Sequence, residues 1–319
     1  MEIFAQQVQT NYTKIDYYIA DTLNETFKLT LALKYTLAGK QYNGVTYDRF
    51  KEVHQRRQST WHEPLFINAR STIFNDQLWT HIYLSPQPEQ MMDQLHRHDT
   101  FLKEAGFKAS IDRNVAALFV DDQAHAIRAY ALFLAMKQKQ RLLTGKEDIP
   151  YAVLLTKNAA FEREDQATAM ATYYEALQRQ GFKQGNALQA MAQILCFEAA
   201  HYDKQRLSIC IEVKNLLDTS KIRYTRRHYR LLAIICLMDE PVQAIKQVIE
   251  AYRVFLLIDC IEHHQGHALM MALTYVIQKQ NLVLFTEPSK WLDLVQLADW
   301  TWELASPVVE LLAEWIKLD

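Results

Sequence analysis

Glycine and proline are scarce in this chain, with seven of each among 319 residues. Together they reach about a third of their usual share. Sandwiches, barrels and doubly wound sheets must turn every dozen residues or so, and their turns draw on these two residues. A chain this poor in both cannot supply enough turns, which leaves helices. Half of the residues are apolar and 23% are charged, so the chain can bury a core and is not of disordered composition.

Apolar residues recur at intervals of three and four. Met170, Tyr173, Tyr174 and Leu177 form one such stripe, and Val242, Ile245, Val248, Ile249, Tyr252 and Leu256 form another behind Pro241. Gly39, Gly106, Gly145, Gly181 and Gly266 fall between stripes, where a helix end would use them. Ala-Gly-Phe-Lys at 105–108 and Gln-Gly-Phe-Lys at 180–183 are near copies. A short apolar stretch follows each stop, with a small residue near its centre: Ala116, Ala152, Ala192, Ala233 and Ala272, spaced 36, 40, 41 and 39 residues apart. A longer amphipathic stretch completes each unit. The expected fold is all-α, a right-handed array of helical hairpins (an α-solenoid, in the spirit of TPR or HEAT arrays) with a period near 40 residues. One continuous domain is expected: an N-terminal cap over 1–65, repeats over 66–280, and an acidic, Trp-rich cap over 281–319. The Pro-dense loop from Leu84 to Glu89 reads as a tight connection before a helix.

Gly181-Phe-Lys-Gln-Gly-Asn-Ala-Leu-Gln189, Lys146-Glu-Asp-Ile-Pro-Tyr-Ala-Val-Leu-Leu155 and the stretch from Lys28 to Phe50 carry a resemblance. They are similar to a bacterial helical family catalogued as domain of unknown function 4003, over most of the chain. The resemblance implies a helical architecture and brings no activity or site residue with it.

Thirty-five basic residues against 37 acidic give a net charge of −2, which exerts no general pull toward nucleic acid or an anionic membrane. From Asn281 onward, however, two basic residues face seven acidic ones. Cys196, Cys210, Cys236 and Cys260 lie in apolar stretches without a CxxC, and read as reduced thiols. The first residues lack a basic leader pattern, and the longest apolar run, Leu231 to Met238, is too short to span a bilayer. A cytoplasmic protein is expected.

Phosphate-cradling glycine loops, HExxH and GxSxG are absent from the sequence. Asp93/His96, Asp122/His125 and Glu198/His201 have the acid-x-x-His spacing of di-iron bundles, at about the frequency that composition supplies. His263 and His267 come nearest to a metal pair, but with Gly266 between them they read as cap residues at a helix end. No cofactor or metal is expected. The least ordinary stretch is Lys221-Ile-Arg-Tyr-Thr-Arg-Arg-His-Tyr-Arg230. With Thr225 as N-cap, Arg226 and Arg227 fall in the first turn of a helix, where its dipole disfavours cations. Acids on neighbouring hairpins could pair with them, or an anionic partner could. Arg223, Tyr224, Arg226, Arg227, Tyr229 and Arg230 are therefore the candidate binding residues.

The functional expectation is a non-catalytic protein that takes a peptide or protein, acidic in character, on a concave face; nucleic acid and membrane are not expected partners. The alternatives are an enzyme whose site is assembled from dispersed helical residues, and a ligand-sensing regulator. A shallow groove would favour binding, and a closed pocket with converging carboxyls or histidines would favour catalysis.

Overall fold

A computed structural model describes residues 1–19, 25–58, 72–157, 159–197, 199–261 and 265–279. Among these residues the protein is all-helical, with no strand. The first four helices are α1 (Glu2–Ile19), α2 (Glu25–Leu37), α3 (Gly44–Gln58) and α4 (Thr72–Leu84). Five hairpins follow. Their first members are α5 (Pro88–Ala105), α7 (Gln123–Lys139), α9 (Arg163–Arg179), α11 (Lys204–Thr219) and α13 (Pro241–Phe255). The second members are α6 (Ile111–Ala116), α8 (Ile149–Leu155), α10 (Asn186–Leu195), α12 (Tyr229–Cys236) and α14 (Gln265–Lys279). No helix among the described residues is long and apolar enough to cross a membrane.

The Gly-Phe-Lys stops have a common mechanism. At the end of α5, Gly106 has φ +116, the Gly106 N–H donates to Lys103 O, and the Phe107 N–H donates to Leu102 O. At the end of α9, Gly181 and Phe182 repeat this with Gln178 O and Leu177 O. The glycine supplies the left-handed residue, and the buried phenylalanine beyond it packs back on the helix. The end of α11 does the same with Ile222 as the apolar residue and Lys221 as the left-handed one, at φ +57. An L-residue is strained there. Gly145 and Gly266 behave differently from the expectation. Gly145 is extended and opens the 3-10 turn Lys146–Asp148, while Gly266 lies within the first turn of α14. Pro88 and Pro241 begin α5 and α13, where a missing N–H costs nothing.

Along one layer α5, α7, α9, α11 and α13 pack in sequence order; along the other α6, α8, α10, α12 and α14 do the same. Ala116, Ala152, Ala192, Ala233 and Ala272 are each 0% exposed, so these regularly spaced small residues are all buried. Every residue of α8 and of α12 is buried, as is Leu188–Leu195 of α10. A helix apolar on all sides belongs in the middle of a structure and presents no face to solvent.

The first hairpin meets the last. The helices α1 and α2 pack on each other; α1 also touches α13, and α2 touches both α4 and α14. The Cys260 N–H donates to Gln9 Oε1 at 3.2 Å, and Gln278 Nε2 donates to Leu37 O at 3.1 Å. Phe4 lies against Phe255 and Tyr275, with ring centroids 5.8 and 5.0 Å away. Buried Asn11 holds the pair together, donating to Thr36 Oγ1 and Lys40 O and accepting from the Tyr42 N–H. The N-terminal pair expected to cover one end of the row therefore reaches its other end, and meets the near end through α3 and α4. Residues 281–319, expected to form the second cap, lie outside the described residues.

Candidate functional site

Three of the chain passages from the first layer to the second end in a small polar device. Ser110 Oγ accepts from the Arg113 N–H at the start of α6. One unit on, the Gly145 N–H donates to Asp148 Oδ2 at 2.8 Å, closing the 3-10 turn that leads into α8. The other oxygen, Oδ1, accepts from Gln193 Nε2 of α10 at 2.7 Å. Two units further, the Thr225 N–H donates to His228 Nδ1 at 2.9 Å, and His228 Nε2 donates to Gly266 O of α14 at 3.0 Å. Asp148 and His228 thus do the same work. Each caps the turn three residues behind it and ties that turn to the next helix of the layer.

Burial sets the charge of these groups. It pushes the Asp148 carboxyl up from 3.8 to about 7, against the hydrogen bonds from Gln193 and Gly145 and the positive charge of Arg230, which pull it down. Burial also pushes the His228 imidazole down, so the ring stays neutral, with Nδ1 accepting and Nε2 donating. Asp112, in the first turn of α6, is raised to about 6 by burial and then by the nearby Glu147. Further links join neighbouring units along this edge. Asn186 Nδ2 donates to Glu147 Oε1, Gln189 Nε2 to Thr144 Oγ1, and the Lys183 N–H to Tyr229 Oη. The loops therefore form a continuous rim.

This rim is basic. Lys108, Arg141, Lys146, Lys183, Lys221, Arg223, Arg226 and Arg227 are all exposed on the connections between the layers. The carboxyls on the same connections are Glu147, bound to Asn186, and buried Asp148. Arg226 reaches back over the preceding unit, its Nη1 3.6 Å from where a Cβ on Gly185 would stand. Among the described residues, no carboxylate forms an ion pair with Lys221, Arg223 or Arg226.

The candidate binding residues therefore divide. Arg223, Arg226 and Arg227 face solvent, and Tyr224 is half-buried, its phenol pushed up by burial and by Asp218. Tyr229 and Arg230 are buried, correcting their assignment to an outer surface. The Tyr229 ring stands edge-on to Phe182 at 5.3 Å, and Arg230 lies near Asp148. The reason is one extra turn. Thr225 caps the 3-10 turn Arg226–His228, and α12 begins only at Tyr229, so the end of the basic run is drawn into the core. His263 lies outside the described residues, and His267 falls in the first turn of α14. Among the described residues, no cluster of three or more His, Cys, Asp or Glu side chains is placed to hold a metal. Sequence reasoning passed over Asp148, Gln193 and His228. Their only signal was the three-residue interval from Gly145 to Asp148 and from Thr225 to His228.

The opposite edge carries the opposite charge. Asp122 and Asp203 cap α7 and α11, accepting from the His125 and Gln205 N–H groups. Glu162 and Glu240 occupy the same position before α9 and α13 without a side-chain cap bond. Asp121 pairs with Lys157, and Asp239 is exposed beside Glu240.

A family model described as "Protein of unknown function (DUF4003)" matches residues 21–283. An uncharacterised protein of Bacillus subtilis (strain 168), YeaA, is 30% identical over 112 residues, covering 35% of this chain and 33% of that protein. The match thus spans about a third of the relative's length. No solved structure matches.

Proposed function

The chain belongs to the DUF4003 family, whose function is unknown, and from its architecture we propose a non-catalytic helical-repeat protein that binds a protein or peptide partner on its basic rim. The repeat reading rests on the start of each unit's second helix. The capping residues Ser110, Gly145, Gly185 and Thr225 stand 35, 40 and 40 residues apart. Stacked hairpins of this kind, an α-solenoid whose first hairpin touches its last, present long edges of repeated loops.

The burial of α8, of α12 and of Leu188–Leu195 in α10 favours the rim over a concave face as the docking surface. The observation that carries the reading is the exposed set Lys221, Arg223 and Arg226, with no carboxylate paired to it among the described residues. Guanidinium groups grip carboxylates in two-point contacts, which suits an acidic partner. Asp148, the carboxyl with the most raised pKa of this edge, has both oxygens engaged in holding the turn to α10, an architectural task. The four cysteines carry free thiols, three of them buried, which supports a reducing cytoplasm.

Affinity capture from native cells, followed by mass spectrometry, tests the reading by comparing the wild type with Arg223→Glu/Arg226→Glu. The variant should lose a defined set of acidic proteins. An unchanged set with both would remove the rim as the docking surface.

A further inference from the structure

The two edges of the array are complementary to each other. One carries Lys183, Arg223, Arg226 and Arg227 exposed; the other carries Glu162, Asp239 and Glu240 exposed. These groups lie at the two ends of the same units. The α9 helix runs from Glu162 to the loop with Lys183, and α12 runs from the turn at Arg226 and Arg227 to Asp239 and Glu240. A 17-residue helix such as α9 holds its ends about 25 Å apart. That is about three screening lengths at physiological salt, so the opposite edges of one molecule do not neutralise each other.

We propose that the basic rim of one copy docks on the acidic rim of a second copy, in a head-to-tail association. The geometry favours this over other self-contacts. Translation along the direction of α12 brings Arg223 and Arg226 of one molecule over Asp239 and Glu240 of the next without rotation. Two basic rims face to face, or two acidic ones, would repel, so neither rim pairs with its own copy across a twofold axis. A head-to-tail contact of this kind leaves a free rim at each end and does not close. The inference rests on the binding reading above and names the occupant of the rim.

Sedimentation velocity on the full chain, over a tenfold concentration range, tests it at about 20 mM and about 500 mM salt. The weight-average mass should climb past two chains at low salt and fall to one at high salt. Arg223→Glu/Arg226→Glu replaces the basic pair of the contact by acids, and Asp239→Lys/Glu240→Lys replaces the acidic pair by bases. Neither pair removes a cap hydrogen bond or an ion pair formed among the described residues. Each variant alone should stay monomeric, with an unchanged circular dichroism spectrum, and an equimolar mixture should associate again. A wild type that stays monomeric at low salt overturns the proposal, as does a variant that associates alone, or a mixture that does not. If the wild type is monomeric while Arg223→Glu/Arg226→Glu still loses its captured acidic proteins, the self-association fails and the binding reading stands.

Discussion

Replacing Asp148 with asparagine should make the protein less sensitive to rising pH. The carboxyl has a pKa of about 7 in the fold against 3.8 ordinarily, because burial disfavours the charged form. The folded state therefore holds this proton more tightly than the unfolded chain does. The resulting stability is fully present below about pH 4 and is lost as pH rises through 7. The whole shift is worth about 4 kcal/mol, of which about 3 kcal/mol falls between about pH 5 and pH 8. Asparagine has the shape of the protonated acid. Its oxygen can still accept from the Gly145 N–H, and its amide can donate to Gln193 Oε1 once that side chain flips. Gln193 Oε1 is buried without a hydrogen bond among the described residues, so the flip exchanges one bond for another, giving Oε1 a donor in place of the bond that Nε2 makes now. Urea unfolding of both proteins at the two pH values gives the comparison. The stability of Asp148→Asn relative to wild type should improve by about 3 kcal/mol on going from about pH 5 to about pH 8. Parallel pH profiles, or a variant that loses ground at pH 8, would refute the account of a buried carboxyl kept neutral by its surroundings.

The left-handed residue at the end of α11 offers a second test. Lys221→Gly should stabilise the fold by about 0.5–1 kcal/mol, since relief of strain exceeds the added chain entropy. Gly181→Ala, at the matching position with no atom within 4 Å of the new methyl, should cost about 1 kcal/mol in the same thermal-shift or urea assay. Ala192→Leu should cost about 3 kcal/mol, because the 0% exposed site leaves no space between neighbouring helices. Phe4→Ala should cost about 2 kcal/mol and speed amide exchange in α13 and α14, whose Phe255 and Tyr275 it contacts; unchanged exchange there would deny the contact between first and last hairpins. Arg223→Glu/Arg226→Glu should leave the urea midpoint within about 0.5 kcal/mol of wild type, as solvent-facing side chains allow.

The parts of this architecture that depend on local rules were legible in the sequence. A stop made of glycine and phenylalanine encodes its own hydrogen bonds within six residues, and α5 and α9 end as Gly106-Phe107 and Gly181-Phe182 require. The alanines were equally plain: Ala116, Ala152, Ala192, Ala233 and Ala272 read as core positions, and all five are buried. Gly145 and Gly266 misled because glycine serves equally well in an extended cap or a first turn, and only the neighbouring unit decides which. The buried ends of the basic run were hidden for a related reason. A three-residue turn inserted after Thr225 rotates Tyr229 and Arg230 inward, and composition carries no trace of it. The contact of α1 with α13 had no local signature at all, since Gln9 and Cys260 are 251 residues apart.

That separation has a consequence for how the molecule is made. A row of hairpins can stack during synthesis, each unit resting on the one before it as the chain leaves the ribosome. Gln9 and Phe4 have no such opportunity, because Cys260, Phe255 and Tyr275 are among the later residues to emerge. The earliest helices must wait, with their apolar flank uncovered, for the last hairpin to arrive. The entropy of bringing such distant segments together grows only slowly with length, so the wait weighs on timing more than on final stability. Throughout it, α1 is the helix that a chaperone, or another nascent chain, would find first.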